Sequence, residues 1–216
     1  MIFSEQLVHM RKEYSGKALD IKDSPQDPFT LYIQWFHEVL EARVEEPNAM
    51  ILATANSDCV PSARTVLLKS FDNYGFVFFT NYNSHKGTDI KGNPRGELLF
   101  LWLELERQVR INGFIEPTPS EESDRYFSSR PYLARLSAIA SPQSQQIESD
   151  SPIKNGIETL MKKYPEGTDV PRPEYWGGYR LVPENFEFWQ GRPDRLHSRL
   201  FYKKETSGWV KSILAP

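Results

Sequence analysis

Between Ala49 and Thr80 the chain passes through three short apolar or β-branched segments separated by clusters of turn-forming residues. This punctuation restricts the available folds more than any other feature of the sequence. Ala49–Ala55 is followed by Asn56-Ser57-Asp58, Ser62–Phe71 by Asp72-Asn73-Tyr74-Gly75, and Phe76–Thr80 completes the series. Asn, Asp, Ser and Gly reverse a chain within a few residues, so the pattern predicts a meander of antiparallel strands. Gly96–Glu104 and Gln108–Ile115, as two strands or one long bent one, and then Gly178–Val182, Phe186–Gln190, Arg195–Lys203 and Trp209–Leu214 extend the strand pattern toward the C-terminus.

Helical signals are fewer. Asp27-Pro28 joins an N-cap residue to proline at the first helical position. Phe29, Ile33, Phe36, Val39 and Leu40 follow at helical spacing, predicting one apolar face and a helix that fades by Glu45–Pro47. Ser84–Ile90 predicts a short helix capped by Ser84, Ser120–Ser129 a helix closed by Arg130-Pro131, and Ile153–Tyr164 another. Residues 132–140 are small and apolar and take no assigned element; residues 141–151 and 165–173 read as loops. The fold class expected is α+β, mainly β: a small β-barrel of antiparallel strands with peripheral helices. Residues 1–26 are polar and mixed and read as a mobile N-terminal arm able to fold over a site; residues 27–216 read as a single domain.

Composition excludes several classes. A net charge of -3 provides no global basic field for nucleic acid. One cysteine, Cys59, allows neither an intrachain disulfide nor a cysteine metal cluster, and the four histidines lack close pairing, so no metal is expected. The longest apolar run, near Leu98–Leu103, is far too short to span a bilayer, and the N-terminus lacks the pattern of a signal peptide. A soluble, cytoplasmic protein without membrane partners is expected.

Candidate chemistry concentrates in Phe186–Arg199, where aromatics give way to a Gly-Arg-Pro-Asp break and then to Arg195, His197 and Arg199, spaced two apart. On a strand these three share a face, and such a row of cations fits either an anionic ligand or a solvated edge. Arg64 and Lys69 stand at opposite parity on one predicted strand, so they share a ligand only across a bulge or an edge. Phe79-Thr80-Asn81-Tyr82-Asn83-Ser84-His85-Lys86-Gly87 leads from a strand through a polar turn into a helix start with a lysine, which fits either a bound phosphate or an ordinary helix start. Gln108 and Arg110 alternate with Arg107 and Val109, so the Gln108 amide faces the same side as Arg110 and suits either the edge of a heteroaromatic ring or a polar group of another strand.

In order along the chain stand R-x-V-L-L-K, F-F-T-N-Y-x-S-x-K-G, L-E-R-Q-V-R, Y-F-x-x-R-P, S-x-Q-S, W-G-G-Y-R, E-F-W-Q-G-R and R-L-H. This series resembles the pyridoxamine/pyridoxine 5'-phosphate oxidase family over nearly the whole chain, from Arg11 to Leu214-Ala215-Pro216. The resemblance implies a flavin-binding split barrel, a homodimer, and FMN at the subunit interface. The implied activity converts pyridoxamine and pyridoxine 5'-phosphates to pyridoxal 5'-phosphate, with hydride passing to the flavin and O2 reduced to peroxide. For FMN it implies Arg64, Thr65, Val66, Leu67, Leu68 and Lys69, with Phe79, Thr80, His85, Lys86, Gln108, Gln143, Ser144, Trp189 and Arg199. For substrate it implies Lys69, Tyr126, Arg130, the position of Ala134, and Arg195, Leu196 and His197, with Arg11, Lys12, Glu13 and Tyr14 closing over it. Arg195 and His197 take the catalytic roles: they orient the substrate and stabilise charge, without His197 having to act as a base.

Four positions depart from the family pattern: Ala134 replaces a serine, Ser198 an aspartate, His85 an arginine and Ile213 an arginine. They keep two other readings open, a split-barrel flavoprotein with another substrate and a protein that binds FMN or pyridoxal phosphate without turnover.

Overall fold

The computed structural model describes Leu7, His9, Met10 and residues 12–216. The described elements include nine strands and five helices in the order α1 (Pro28–Glu41), β1 (Ala49–Ala55), β2 (Pro61–Leu67), β3 (Ser70–Asp72), β4 (Gly75–Asn81), α2 (His85–Gly92), β5 (Arg95–Trp102), β6 (Arg107–Pro117), α3 (Ser120–Ser129), α4 (Tyr132–Ala140), α5 (Ser151–Lys163), β7 (Trp176–Gln190), β8 (Ser198–Glu205) and β9 (Gly208–Ile213). Hydrogen bonding orders the strands β2-β1-β5-β6-β7-β4-β3, with β8 on β7 and β9 on β8. The β1–β2, β3–β4, β7–β8 and β8–β9 pairings join strands adjacent in the chain and are antiparallel, as the turn chemistry predicts; β4–β7 is also antiparallel but joins strands distant in sequence, which no turn signals. This is the split β-barrel fold with peripheral helices. Among the described residues no helix is long and apolar enough to cross a membrane.

The chain forms two compact units. One takes the chain up to Pro47, Leu99–Ile111 and Glu184–Pro216; the other takes Asn48–Leu98 and Asn112–Pro183. In the first unit, α1 starts where Asp27 accepts from Phe29 N at 3.4 Å and Thr30 N at 3.0 Å, with Pro28 supplying the preset φ. Its buried face differs from the expected one. Phe29 and Val39 are buried as expected, but Ile33 and Leu40 are 40% and 49% exposed, and Tyr32 and Trp35 are buried in their place. The larger aromatic rings take the core side. Phe29 meets Phe186 at 5.2 Å, Trp35 meets Phe188 at 5.2 Å and Tyr32 meets Phe100 at 5.4 Å, all edge-on. Each such buried ring contributes about 1.5–3 kcal/mol.

The arm from Lys12 onward docks on the same unit. Leu19 N donates to Ser198 Oγ, Lys211 Nζ to the carbonyls of Ile21 and Ser24, and Tyr202 OH to the carbonyl of Pro25. Arg11 lies outside the described residues.

In the second unit, Phe127, Leu136, Val170 and Trp176 form a core cluster under α3, α4 and α5. The apolar run 132–140 is helix α4. The predicted strand 62–71 breaks in two. Leu68 N still donates to Asn48 O, but Lys69 N donates to Val77 O, so the chain changes partner strand there. Conversely, the two strands predicted at 178–182 and 186–190 are one, β7. Residues 176–181 pair with β4 and residues 185–190 with β8, and Pro183, which has no N–H to give a ladder, sits at the change of partner.

Candidate functional site

The second unit assembles a cation pair among hydroxyls. Arg64 on β2 opposes Leu52 on β1; its Nη1 donates to the Leu52 carbonyl at 3.2 Å and to Thr54 Oγ1 at 2.6 Å, and its Nη2 donates to Ser62 Oγ. Thr54 and Ser62 in turn donate to Asp89 Oδ2 at 2.7 and 2.8 Å. Asp89 belongs to α2, is 3% exposed, and also approaches Arg64 Nη2 at 3.6 Å and His85 Nε2 at 3.8 Å. Ser84 caps α2 by accepting from Gly87 N, as expected. Beside it Lys86 Nζ lies 3.2 Å from Gln143 Oε1, 3.3 Å from Thr80 Oγ1 and 3.4 Å from Ser84 Oγ.

Burial lowers the pKa of Lys86, and repulsion from Arg64 lowers it further. Burial likewise lowers Arg64, against the pull of Asp89. Two neighbouring cations that lose solvation, gathered with hydroxyls at a helix N-terminus, make a site that gains from a bound anion.

Burial pushes Asp89 upward, but the hydrogen bonds from Thr54 and Ser62, with His85 and Arg64, bring it to a net value below the ordinary one. A carboxyl depressed on folding contributes stability that is complete above its unfolded pKa, about 3.9, and is lost as pH falls through the lower folded value. Melting temperature should therefore fall in that acid window, and Asp89→Asn, neutral at every pH, should flatten the fall. Parallel curves for the two proteins would contradict this assignment.

A second cluster in the same unit stacks Tyr126 on Phe79 at 3.9 Å and on Trp176 at 6.1 Å. Arg130 ends α3 with its guanidinium 4.7 Å over the Trp176 ring. Arg130 Nη1 and, on α4, Arg135 Nε are buried without a hydrogen-bond partner among the described residues. Burial lowers the Arg130 pKa. A buried guanidinium N–H without an acceptor costs about 1–3 kcal/mol, so Arg130 is chemically suited to an anionic ligand. Ala134 is half-buried on α4 and offers no donor; Lys69 is exposed.

The first unit holds the remaining residues. The strand face proposed for Arg195, His197 and Arg199 does not form. β8 begins at Ser198, and Pro193–Arg195 is a 3-10 turn in which Asp194 and Arg195 have φ of 56° and 58°. Two consecutive left-handed residues without glycine are uncommon, and sequence spacing gives no sign of them. The turn nevertheless brings Arg195 and His197 together on a cavity of about 620 Å³, shared with Lys12, Glu13, Tyr14 and Arg192. His197 Nδ1 accepts from Arg192 N at 3.2 Å, leaving Nε2 to carry the proton of the neutral ring. The His197 ring lies 4.7 Å from Trp189, and Tyr14 stands edge-on to both, at 5.5 and 5.6 Å. Leu196 is exposed, and Gln108 is half-buried on β6.

Arg199 is held by the protein itself. Its Nε donates to Glu187 Oε1 at 2.7 Å and its Nη1 to the Ala215 carbonyl at 2.8 Å, and the Glu187 bond raises its pKa. The opposite parity of Arg64 and Lys69 also loses its meaning, because β2 ends at Leu67 before Lys69 is reached. Thr65 and Leu67 are exposed, Val66 is half-buried and Leu68 is buried. Gln143 and Ser144 lie on the exposed loop after α4, with Ser144 at φ 71°.

Two carboxylates central to these networks, Asp89 and Glu106, carry no signal in the motif reading. The available hints were the i,i+4 spacing of His85 and Asp89 and the place of Glu106 in L-E-R-Q-V-R.

Fold and site together define a split-barrel protein with anion-ready cation sites. Residues 36–160 match the family described as pyridoxamine 5'-phosphate oxidase, and residues 176–216 match the pyridoxine 5'-phosphate oxidase C-terminal dimerisation region. The chain is 52% identical over 213 residues to the pyridoxine/pyridoxamine 5'-phosphate oxidase of Burkholderia cenocepacia strain HI2424, covering 97% of this chain and 99% of that one. It is 51% identical over 212 residues to the protein of the same name from Paraburkholderia phytofirmans, with the same shares covered, 97% and 99%. The structure of PhzG from Burkholderia lata 383, in complex with tetrahydrophenazine-1-carboxylic acid, matches with a TM-score of 0.87 at 33% identity, covering 94% of this chain and 100% of that one. This chain belongs to the pyridoxamine 5'-phosphate oxidase family.

Proposed function

We propose that the protein is a cytoplasmic FMN-dependent oxidase that converts pyridoxamine 5'-phosphate and pyridoxine 5'-phosphate to pyridoxal 5'-phosphate, reducing O2 to H2O2. The observation that carries this reading is a pair of anion-ready sites in a chain 52% identical, end to end, to relatives bearing that name. One is the Arg64–Lys86 pair with Ser84 and Thr80; the other is Arg130, whose buried Nη1 has no hydrogen-bond partner among the described residues. The first fits the FMN phosphate in both charge and donor chemistry. Bound there, FMN supplies the hydride acceptor and the route to O2.

The chain's own residues hold and orient. In one unit Arg130, Lys69 and Tyr126 are suited to a substrate phosphate; in the other Arg195 and His197 are suited to orienting a substrate and neutralising developing charge. The Tyr14 and Trp189 rings flank His197 and fix the orientation of its ring. We infer a homodimer with FMN at the subunit interface, supported by the match of residues 176–216 to a dimerisation region. The reading is tested by O2-dependent peroxide formation from the two vitamin phosphates.

A second reading, oxidation of a carboxylate-bearing substrate, is favoured by the missing hydroxyl at Ala134 together with the carboxylic acid bound in PhzG. A hydrogen bond to a charged group is worth roughly 1.5–3 kcal/mol, about 10- to 150-fold in binding, and with Ser137 placed to supply part of it Ala134→Ser is expected to lower the KM for pyridoxine phosphate several-fold. Ser137, one helical turn away, replaces the lost donor if Ser137→Ala raises that KM in the unmodified background. An unchanged KM in Ala134→Ser would show that this position does not limit affinity.

A further inference from the structure

One carboxylate fastens the arm that carries Tyr14. Glu106 lies just before β6 with left-handed backbone, φ 56°, and is 8% exposed. Its Oε2 accepts from Ser15 N at 2.7 Å, and its Oε1 lies 3.2 Å from Lys12 Nζ. These bonds, the Ser15 one foremost, lower its pKa despite burial. Its own carbonyl accepts from Gly191 N at 2.8 Å, which ties the same residue to the end of β7.

Two glycines permit the close seating. A Cβ on Gly16 would overlap Gln190 Nε2 and the Gly191 carbonyl, and a Cβ on Gly191 would press on the Tyr14 ring. The arm from Lys12 to Gly16 is thus seated against the end of β7, which sets Tyr14 edge-on to Trp189 and His197. A carboxylate suits this task. It accepts from a main-chain N–H and pairs with an ammonium at once, whereas an amide would turn its own donor toward one of them.

We propose that Glu106 is a positioning residue: it seats the arm so that Tyr14 completes the wall of the cavity holding Arg195 and His197, and it thereby sets substrate affinity without touching the substrate. The identity of that substrate rests on the oxidase reading; the fastening of the arm does not.

The test uses the FMN-loaded protein and two variants, Glu106→Gln and Gly16→Ala. The second loosens the arm's seat on Gln190 and Gly191 while leaving the Glu106 carboxylate in place, so it remains informative if the first disturbs the β5–β6 turn. Trypsin should cut at Lys12 and Lys17 about tenfold faster in both variants than in the unmodified protein. KM for pyridoxamine phosphate should rise about tenfold while kcat changes less than about twofold. Equal cleavage rates in all three proteins would overturn the fastening. Faster cleavage with unchanged KM would overturn the positioning role. A parent protein that oxidises neither vitamin phosphate would overturn the oxidase reading instead, and cleavage alone would then decide whether Glu106 holds the arm.

Discussion

Arg64→Ala is expected to weaken FMN binding by roughly 30-fold to several thousand-fold, because removing one partner of a buried charge pair costs about 2–5 kcal/mol. Arg64 is the hub of its network, bonded to Leu52, Thr54 and Ser62 and facing Asp89. Its loss removes a cation from the anion site and leaves Asp89 with the Thr54 and Ser62 hydroxyls. Arg64→Lys should fall between, keeping the charge but not the forked geometry. The measurement is the dissociation constant of FMN, read from quenching of its fluorescence, beside the melting temperature of each apoprotein. FMN affinity unchanged in Arg64→Ala, with the fold intact, would remove the phosphate from this site.

The second large effect is expected on turnover. Arg195→Ala and His197→Ala should each reduce kcat/KM for pyridoxamine phosphate by about 30-fold or more, while the FMN content of the purified protein stays near one per chain. Both side chains line the cavity beside Tyr14, and neither belongs to the Arg64–Lys86 network. A loss of FMN in step with activity would move them into the cofactor site, and unchanged kinetics in both would reduce the turn to a charged surface.

Local signals were legible wherever the responsible residues are neighbours in sequence. Asp27-Pro28 opens α1 and Ser84 caps α2 because each cap needs only the next few residues. The antiparallel ladders between strands adjacent in the chain likewise follow from their turns. What depends on distant partners was not legible. Pro183 reads as a strand end, yet β7 continues through it because a different neighbour takes over pairing on each side. Ile33 and Leu40 read as core, but Tyr32 and Trp35 bury more area and set the rotation of the helix. Arg195, His197 and Arg199 read as one face of a strand, and the left-handed turn at Asp194 and Arg195 breaks that face. It still delivers two of the three to one cavity. Asp89 and Glu106 look like ordinary surface carboxylates until Thr54, 35 residues away, and Ser15, 91 residues away, are brought to them.

The central claim is oxidation of a vitamin phosphate, and the most direct measurement is steady-state H2O2 formation by the FMN-loaded protein in air. Pyridoxamine 5'-phosphate and pyridoxine 5'-phosphate are supplied in turn, with unphosphorylated pyridoxamine as the control. The account predicts peroxide and pyridoxal 5'-phosphate in equal amounts from the phosphorylated substrates, and far less product from the control, which gives Arg130 no anion to bind. No peroxide from either phosphate, in a protein that holds FMN and whose flavin is reduced by some other donor, would contradict it.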